Sequence, residues 1–377
     1  MSIQIKYKEI YQELFREINS GTLAAGERIP TELQLAGRFG VTRQTVLKAL
    51  DVLKHDGMLK SVRGKGTYVT GMRGKSPAPR KQNNKQLAYL CSNLQDSLGH
   101  RILVGAEQAA CQAGYSLIAC NTRNDSACEA EYLHRMRENR ISGIILLPYL
   151  QSNRELVRET AREIPLICVD NGYQDLDLPV VNTNNFQAMY NAVNYLIELG
   201  HTRIGYILNS GGLLEYIPSA RERFQGYRQA LEDHGLRFSP EWVAELGSSL
   251  SHRRPGDVGL DLYGYPAMNR LIRLPEPPTA VVLQWDEIAP GAICAVHDAH
   301  KRVPEDFSLI GFNDDELCTL MTPQLTSVRQ PAEEIGEQAV IHLLKMIHGD
   351  GSPRGKIQLP SKLIKRSSTG RVRPDNN

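Results

Sequence analysis

Seven short apolar runs, each set beside a stretch of helical periodicity, restrict what this chain of 377 residues can fold into. Residues 87–91, 116–120, 143–148 and 166–169 are each followed by ten or more residues with the spacing of an amphipathic helix. Residues 203–208, 279–283 and 308–312 continue the series. Strands that are apolar throughout must be covered on both faces. Their alternation with helices therefore predicts an α/β body of parallel sheets. Seven such units exceed one comfortable open sheet, so two lobes are expected over residues 86–377.

The first seventy residues follow another pattern. Tyr7, Ile10, Tyr11, Leu14, Phe15 and Ile18 form one helical stripe. Thr31 with Gln34 predicts a capping box, Gly40-Val41 a turn, and Thr42 the cap of a helix running to Gly57. Val46, Leu50 and Leu53 fall on its inner face, leaving Arg43, Gln44 and Lys48 outside near its start. Residues 59–62 and 67–69 predict two strands joined by Arg63-Gly64-Lys65-Gly66, a tight turn with two cations at its tip. A helix-turn-helix with a basic wing grips DNA, because donors in the first turn of the second helix reach base edges and phosphates. A helical hairpin with solvated charges is the plainer alternative.

Charge agrees with this division. The chain carries a formal +2, yet residues 1–85 hold 16 Lys and Arg against 7 Asp and Glu, while the remainder holds 28 against 35. A basic module on an acidic body confines attraction for phosphate to one end. Residues 71–85, GMRGKSPAPRKQNNK, have too little apolar surface to order themselves and read as a linker.

Residues 7–69 resemble the winged-helix domain of the GntR family of bacterial regulators, through PTE, LA, FGVTRQTV, DG and GKGTYV. The resemblance implies base or phosphate contacts from Arg43, Gln44 and Thr45, and minor-groove contacts from Arg63, Gly64 and Lys65. Leu33 and Leu47 replace polar contacts of many members, so the site read differs and Lys48 takes over a phosphate contact. The segments GAEQAACQAGYSLIACNT, ISGIILLP, IPLICVDN, LIELGHTRIGYI, SARERFQGYRQAL, PTAVVLQWDEIAPGA, VPEDFSLIGFNDDE and LTSVRQP resemble, in order, the effector domain of LacI/GalR-type regulators. That domain is similar to periplasmic sugar-binding proteins. The pairing of the two resembles arabinose-type repressors.

In doubly wound sheets ligands sit beyond the carboxyl ends of strands. Asp170, Asp286 and Asn313-Asp314 end three of the runs, and Arg223 lies on a helix after residues 203–208. Carboxylates and a guanidinium suit a ligand whose hydroxyls donate and accept. The resemblance implies that Asp170, Ser219, Arg223, Asn313 and Gln330 line the pocket, with Asn93 a weaker candidate. Trp285 stands where the family has a small polar residue, placed either to stack on a pyranose or to fill space. Plainer readings make Asp170 and Asn313 turn formers, Arg223 a surface ion-pair partner, Ser219 a helix cap and Gln330 a loop residue.

A P-loop, a GxSxG elbow and an HExxH helix are all missing, so neither an enzyme nor a cofactor is expected. The seven cysteines are dispersed without a CxxC pair, which fits reduced thiols in a cytoplasmic protein rather than a metal site. The opening MSIQIKYKEIYQELF lacks the apolar core of an export signal. The expectation is a cytoplasmic homodimer that binds an inverted repeat of double-stranded operator DNA and represses carbohydrate genes until a small sugar releases it. The alternatives are an activator, a sensor of a nucleobase or other metabolite, and a solute-binding transport protein.

Overall fold

The structure, a computed structural model, describes residues 3–55, 57–62, 66–70, 85–148, 151–209, 217–246, 262, 264–351 and 355–373. The chain divides into two compact units, Met1–Asn83 and Asn84–Asn377. Nearly all of the expected linker, residues 71–84, lies outside the described residues.

The first unit contains α1 (Ile3–Ser20), α2 (Glu32–Phe39), α3 (Arg43–His55), β1 (Leu59–Val62) and β2 (Gly66–Val69). The capping box starts α2: Gln34 N donates to Thr31 Oγ1 at 3.4 Å, and Thr31 N donates to Gln34 Oε1 at 2.8 Å. Gly40 ends α2 with φ 60°, a left-handed conformation that glycine adopts without a Cβ penalty. Ile10, Leu14 and Ile18 of the α1 stripe pack with Leu35, Val46, Leu50, Leu53, Met58 and Val69. Fully burying each of these large side chains contributes about 1.5–3 kcal/mol, which fixes α3 against its supports. β1 and β2 pair antiparallel from Leu59↔Val69 to Val62↔Gly66. The segment before α2 joins them: Gly26 N and Ile29 N donate to Val69 O and Thr67 O.

The second unit has two lobes. The sheet of lobe 1 has β3 (Gln86–Cys91), β4 (Ser116–Asn121), β5 (Gly143–Leu147), β6 (Leu166–Val169), β7 (Val180–Thr183) and β13 (Lys356–Leu359), all parallel in the order β13-β7-β6-β5-β3-β4. Lobe 2 repeats the plan with β8 (Ile204–Leu208), β9 (Val243–Glu245), β10 (Ala280–Leu283), β11 (Ser308–Asn313), β12 (Thr326–Arg329) and β14 (Lys362–Ile364), in the order β14-β12-β11-β10-β8-β9. Only β14 runs antiparallel among these described strands.

Residue alternation explains why both faces are covered. Leu87, Tyr89 and Cys91 pack on α4 (Ser97–Gln112) and α12 (Ala332–His348). Ala88 and Leu90 pack on the other face, with α5 (Ser126–Glu138) and α6 (Arg154–Glu163). In lobe 2, Val281 and Leu283 meet α9 (Gly264–Ile272) and α10 (Ala289–Asp298), while Ala280 and Val282 meet α7 (Asn185–Glu198) and α8 (Pro218–Asp233). A short α11 (Leu317–Leu320) follows β11. Glycines let α4 and α12 touch: a Cβ on Gly105 would stand 1.9 Å from Glu333 O, and one on Gly336 2.1 Å from Ile102 O.

All seven expected runs are strands. Five others, β7, β9, β12, β13 and β14, are three or four residues long and too short to show periodicity. The chain passes between the lobes after β7, after β12 and after β13. No helix among the described residues is long and apolar enough to cross a membrane.

Candidate functional site: an interlobe cleft and a reading helix

Strand order reverses next to β3 in lobe 1 and next to β8 in lobe 2. Such a switch point opens a crevice at the carboxyl ends of the strands. Non-glycine residues with left-handed backbones stand at these ends: Asp170 after β6 with φ 59°, and Asn313 and Asp314 at β11 with φ 117° and 57°. Strain of this kind persists where surrounding contacts over-determine it, and it clusters at binding sites.

Arg223 is buried where α8 meets the strand ends of lobe 2. It is 6 % exposed, its Nε donates to Asn185 Oδ1 at 2.8 Å, and its Nη1 donates to Gln284 O at 3.0 Å. The guanidinium lies 3.7 Å from the centroid of the Phe312 ring. Burial lowers its affinity for the proton, while the Asp170 carboxylate opposes that effect. Burial likewise raises the Asp170 pKa, against the pull of Arg223. Asp170 Oδ2 accepts from Asn171 Nδ2 at 2.6 Å, whereas buried Oδ1 has no hydrogen-bond partner among the described residues.

Ser219, one turn earlier on α8, donates its backbone N–H to Asn171 Oδ1 at 2.9 Å, a contact from lobe 2 to lobe 1. Its neighbours extend the seam: Glu222 on α8 pairs with Lys356 on β13. On the other side Gln330 is fully buried. Its Nε2 donates to Asn313 Oδ1 at 2.8 Å, and its Oε1 has no hydrogen-bond partner among the described residues. Arg101 on α4 donates to Asn313 O at 3.2 Å and Gln330 O at 3.4 Å while paired with Glu333 at 3.0 Å. Asp170, Ser219, Arg223, Asn313 and Gln330 thus stand on one seam between the lobes.

Three other candidates sit differently. Asp286 was expected to point into the crevice. It is instead completely buried, and its oxygens accept from Ser327 Oγ at 2.6 Å and Asp315 N at 2.9 Å. It braces two strand ends inside lobe 2. Asn93 Oδ1 accepts from Gln95 N at 3.0 Å, shaping the loop after β3. Trp285 is half-buried, with its ring packed on the α9–α10 side of the lobe 2 core.

Strand-end reasoning missed Arg101 and Asn185, which lie on helices, and two carboxylates. Asp96 caps α4 by accepting from Gly99 N at 3.1 Å. Asp315 follows the strand-end pair Asn313-Asp314. Desolvation, reinforced by neighbouring carboxylates, pushes Asp96 up to about 6 and Asp315 up to about 7. An Asp just before an apolar helical run is a cap signal, and it was legible for Asp96.

In the first unit Thr42, Arg43, Gln44 and Lys48 are exposed on α3 or just before it. Arg43 Nε donates to Glu32 Oε2 at 2.7 Å, which holds its guanidinium beside α2. Thr45 departs from expectation: it is 6 % exposed, and its hydroxyl bonds the Thr42 hydroxyl at 3.0 Å, so it supports α3 from within. Leu33 is 74 % exposed on α2. Arg63, Gly64 and Lys65 lie outside the described residues.

Comparison with known proteins follows the same division. Residues 6–69 match the bacterial regulatory proteins of the gntR family, and residues 193–369 match the periplasmic binding protein-like domain. The chain is 29 % identical to the arabinose metabolism transcriptional repressor of Geobacillus stearothermophilus, over 97 % of this chain and 98 % of that protein. It is 30 % identical to the HTH-type transcriptional repressor CytR of Escherichia coli strain K12, over 91 % of this chain and 97 % of that protein. A crystal structure of a putative ribose operon repressor from Burkholderia thailandensis superposes with a TM-score of 0.64 at 27 % identity, covering 74 % of this chain and 99 % of that one.

Proposed function

Since this chain belongs to the LacI-type transcriptional repressors and carries a GntR-family domain at its N-terminus, we propose that it represses genes for carbohydrate uptake or catabolism until a small effector binds its interlobe cleft. It is a transcriptional regulator, not an enzyme. In this reading residues 1–70 hold operator DNA, residues 71–85 link, and residues 86–377 bind effector and pair two copies in the cytoplasm. A dimer presents two equivalent reading helices, so the operator is an inverted repeat.

The observation that carries the effector site is the environment of Arg223. A buried guanidinium from lobe 2 donates to Asn185 just past the first interlobe crossing and faces Asp170, and among the described residues Asp170 Oδ1 and Gln330 Oε1 are buried without hydrogen-bond partners. A buried acceptor left unpaired costs about 1–3 kcal/mol, and a ligand bearing hydroxyl or N–H groups recovers that cost. Since Asp170 ends a strand of lobe 1 and Gln330 stands at the crossing after β12, a ligand that satisfies both favours one arrangement of the lobes over another. On the DNA side Arg43 and Gln44 read bases, Lys48 holds phosphate, and Arg63, Gly64 and Lys65 enter or flank the minor groove.

The test is a thermal-shift screen of the full chain against pentoses, hexoses, nucleosides and nucleobases, followed by operator binding with each stabilising compound. A compound that raises the melting temperature and changes operator affinity supports the reading. Stabilisation with no change in operator affinity refutes it.

A further inference from the structure

The outer face of the wing carries a cation that comes from neither the reading helix nor the wing hairpin. The segment before α2 runs antiparallel to β2: Arg28 stands opposite Tyr68, Ile29 N donates to Thr67 O at 3.0 Å, and Val69 N donates to Glu27 O at 2.9 Å. Lys60 on β1 stands opposite Tyr68 from the other side. Residues directly opposite in an antiparallel sheet share a face, so Arg28, Tyr68 and Lys60 form one row across three strands. Ile29, Leu59 and Val69 are buried in the core beneath, which turns this row outward, and Arg28 and Lys60 are exposed.

Gly66 directs the Arg28 side chain. It lies two residues from Tyr68 on the same face, at the start of β2 and beside the connection from β1, with φ 116°. A Cβ there would stand 2.6 Å from Arg28 Nε and 3.2 Å from Arg28 Cζ. The guanidinium therefore lies in the space that glycine leaves open, extended along the sheet toward the wing connection. It is also uncommitted. Among the described residues of this unit Arg16 is paired with Glu13, Arg38 with Glu17 and Arg43 with Glu32, whereas Arg28 has no acidic partner. The adjacent Glu27 turns back on its own chain, where Oε2 accepts from Ala24 N at 2.7 Å.

We infer that Arg28 holds a phosphate of the DNA backbone on the flank of the wing. The fork of a guanidinium matches two phosphate oxygens, and here it is exposed, aimed along the wing and answered by no carboxylate. The minor groove is about 6 Å wide, so the wing connection fills it. A cation one strand to the side of β2 meets the wall of the groove, which is phosphate. Such a contact fixes the register of the wing on the duplex and carries no sequence information. This inference rests on residues 1–70 being the DNA reader.

The experiment measures binding of the full chain by fluorescence anisotropy across a salt series. Two duplexes are used, one recovered by selection on the full chain from random-sequence DNA and an unrelated one of the same length. Arg28→Gln is expected to weaken both alike, by about five- to tenfold per copy bound at about 0.1 M salt, and to lower the salt slope by about 1 per copy. Arg28→Lys keeps the charge and should restore the slope. Arg16→Ala removes a cation already held by Glu13 and should leave both quantities near the parental values. A loss as large in Arg16→Ala would reduce the effect to net charge and overturn the inference. A loss in Arg28→Gln confined to the selected duplex would place the residue on a base and overturn it as well. Parental affinity and slope in Arg28→Gln, with Arg43→Ala weakened on the selected duplex, would remove Arg28 and keep the reading helix. Parental binding by both variants would remove the DNA reading together with the inference.

Discussion

Arg223 Nε donates to Asn185 Oδ1 at 2.8 Å, which ties the buried guanidinium of α8 to the residue where the chain first leaves lobe 1. A ligand that takes hold of Arg223 therefore acts on the crossing itself. Arg223→Ala should reduce effector affinity by more than about tenfold, because buried partners are left unpaired. It also leaves Asp170 without its counter-charge, so a loss of about 3–5 kcal/mol in stability is expected. Arg223→Lys keeps the charge and loses the planar stack on Phe312, so it should recover stability more than affinity. Calorimetry with a stabilising compound checks this, and unchanged affinity in both variants would make Arg223 purely structural.

For the reading helix, Arg43→Ala should cost about 1–3 kcal/mol on the operator and much less on unrelated DNA. Lys48→Ala should weaken all sequences evenly and reduce the salt slope by about 1. Fluorescence anisotropy across a salt series separates the two. An Arg43→Ala loss that is equal on every sequence would place Arg43 on phosphate rather than on a base.

The Asp315 carboxyl, pushed up to about 7, binds its proton more tightly in the folded chain than in the unfolded one. Its contribution to stability is therefore fully present below the ordinary carboxylate range and is lost as pH rises through about 7. Asp96, up to about 6, acts in the same direction. The ligand-free chain should gain about 1–3 kcal/mol from this pair on going from about pH 8 to about pH 5, less whatever other groups contribute. Denaturant titrations of the parent and Asp315→Asn isolate the effect: the variant should show a smaller dependence on pH. An identical dependence would contradict the account of this carboxyl.

Gly336→Ala should destabilise by about 1–3 kcal/mol or more, because the new methyl meets the backbone of Ile102 rather than a movable side chain. Urea unfolding measures it. A neutral result would mean that α4 and α12 have room to part.

The sequence carried much of this fold because its central strands are apolar on both faces and their helices are long. The edge strands β13 and β14 were invisible: Lys356 and Gln358, like Lys362, face solvent, so they share no pattern with the core strands. In the site, Asp170, Asn313 and Arg223 were legible from strand-end position and charge. Asp286 occupied the same kind of position, yet Ser327 Oγ and Asp315 N hold its carboxylate inside lobe 2, in space that Gly311 leaves free because a Cβ there would stand 2.0 Å from Asp286 Oδ1. Thr45 looked like a contact residue by neighbourhood, but helical rotation turns it inward beside Val46. Arg101 acts across more than two hundred residues of sequence to reach Gln330 and Glu333, a pairing that no local pattern encodes.

The most direct test is operator affinity of the full chain, measured with and without the compound that most raises its melting temperature, together with the reciprocal titration of that compound with and without operator. The account predicts a change of roughly 5–150-fold in operator affinity, about 1–3 kcal/mol of coupling, and the same factor in the reciprocal experiment. Equal affinities in both titrations would contradict it, leaving a DNA reader and a binding body that share a chain without regulating one another.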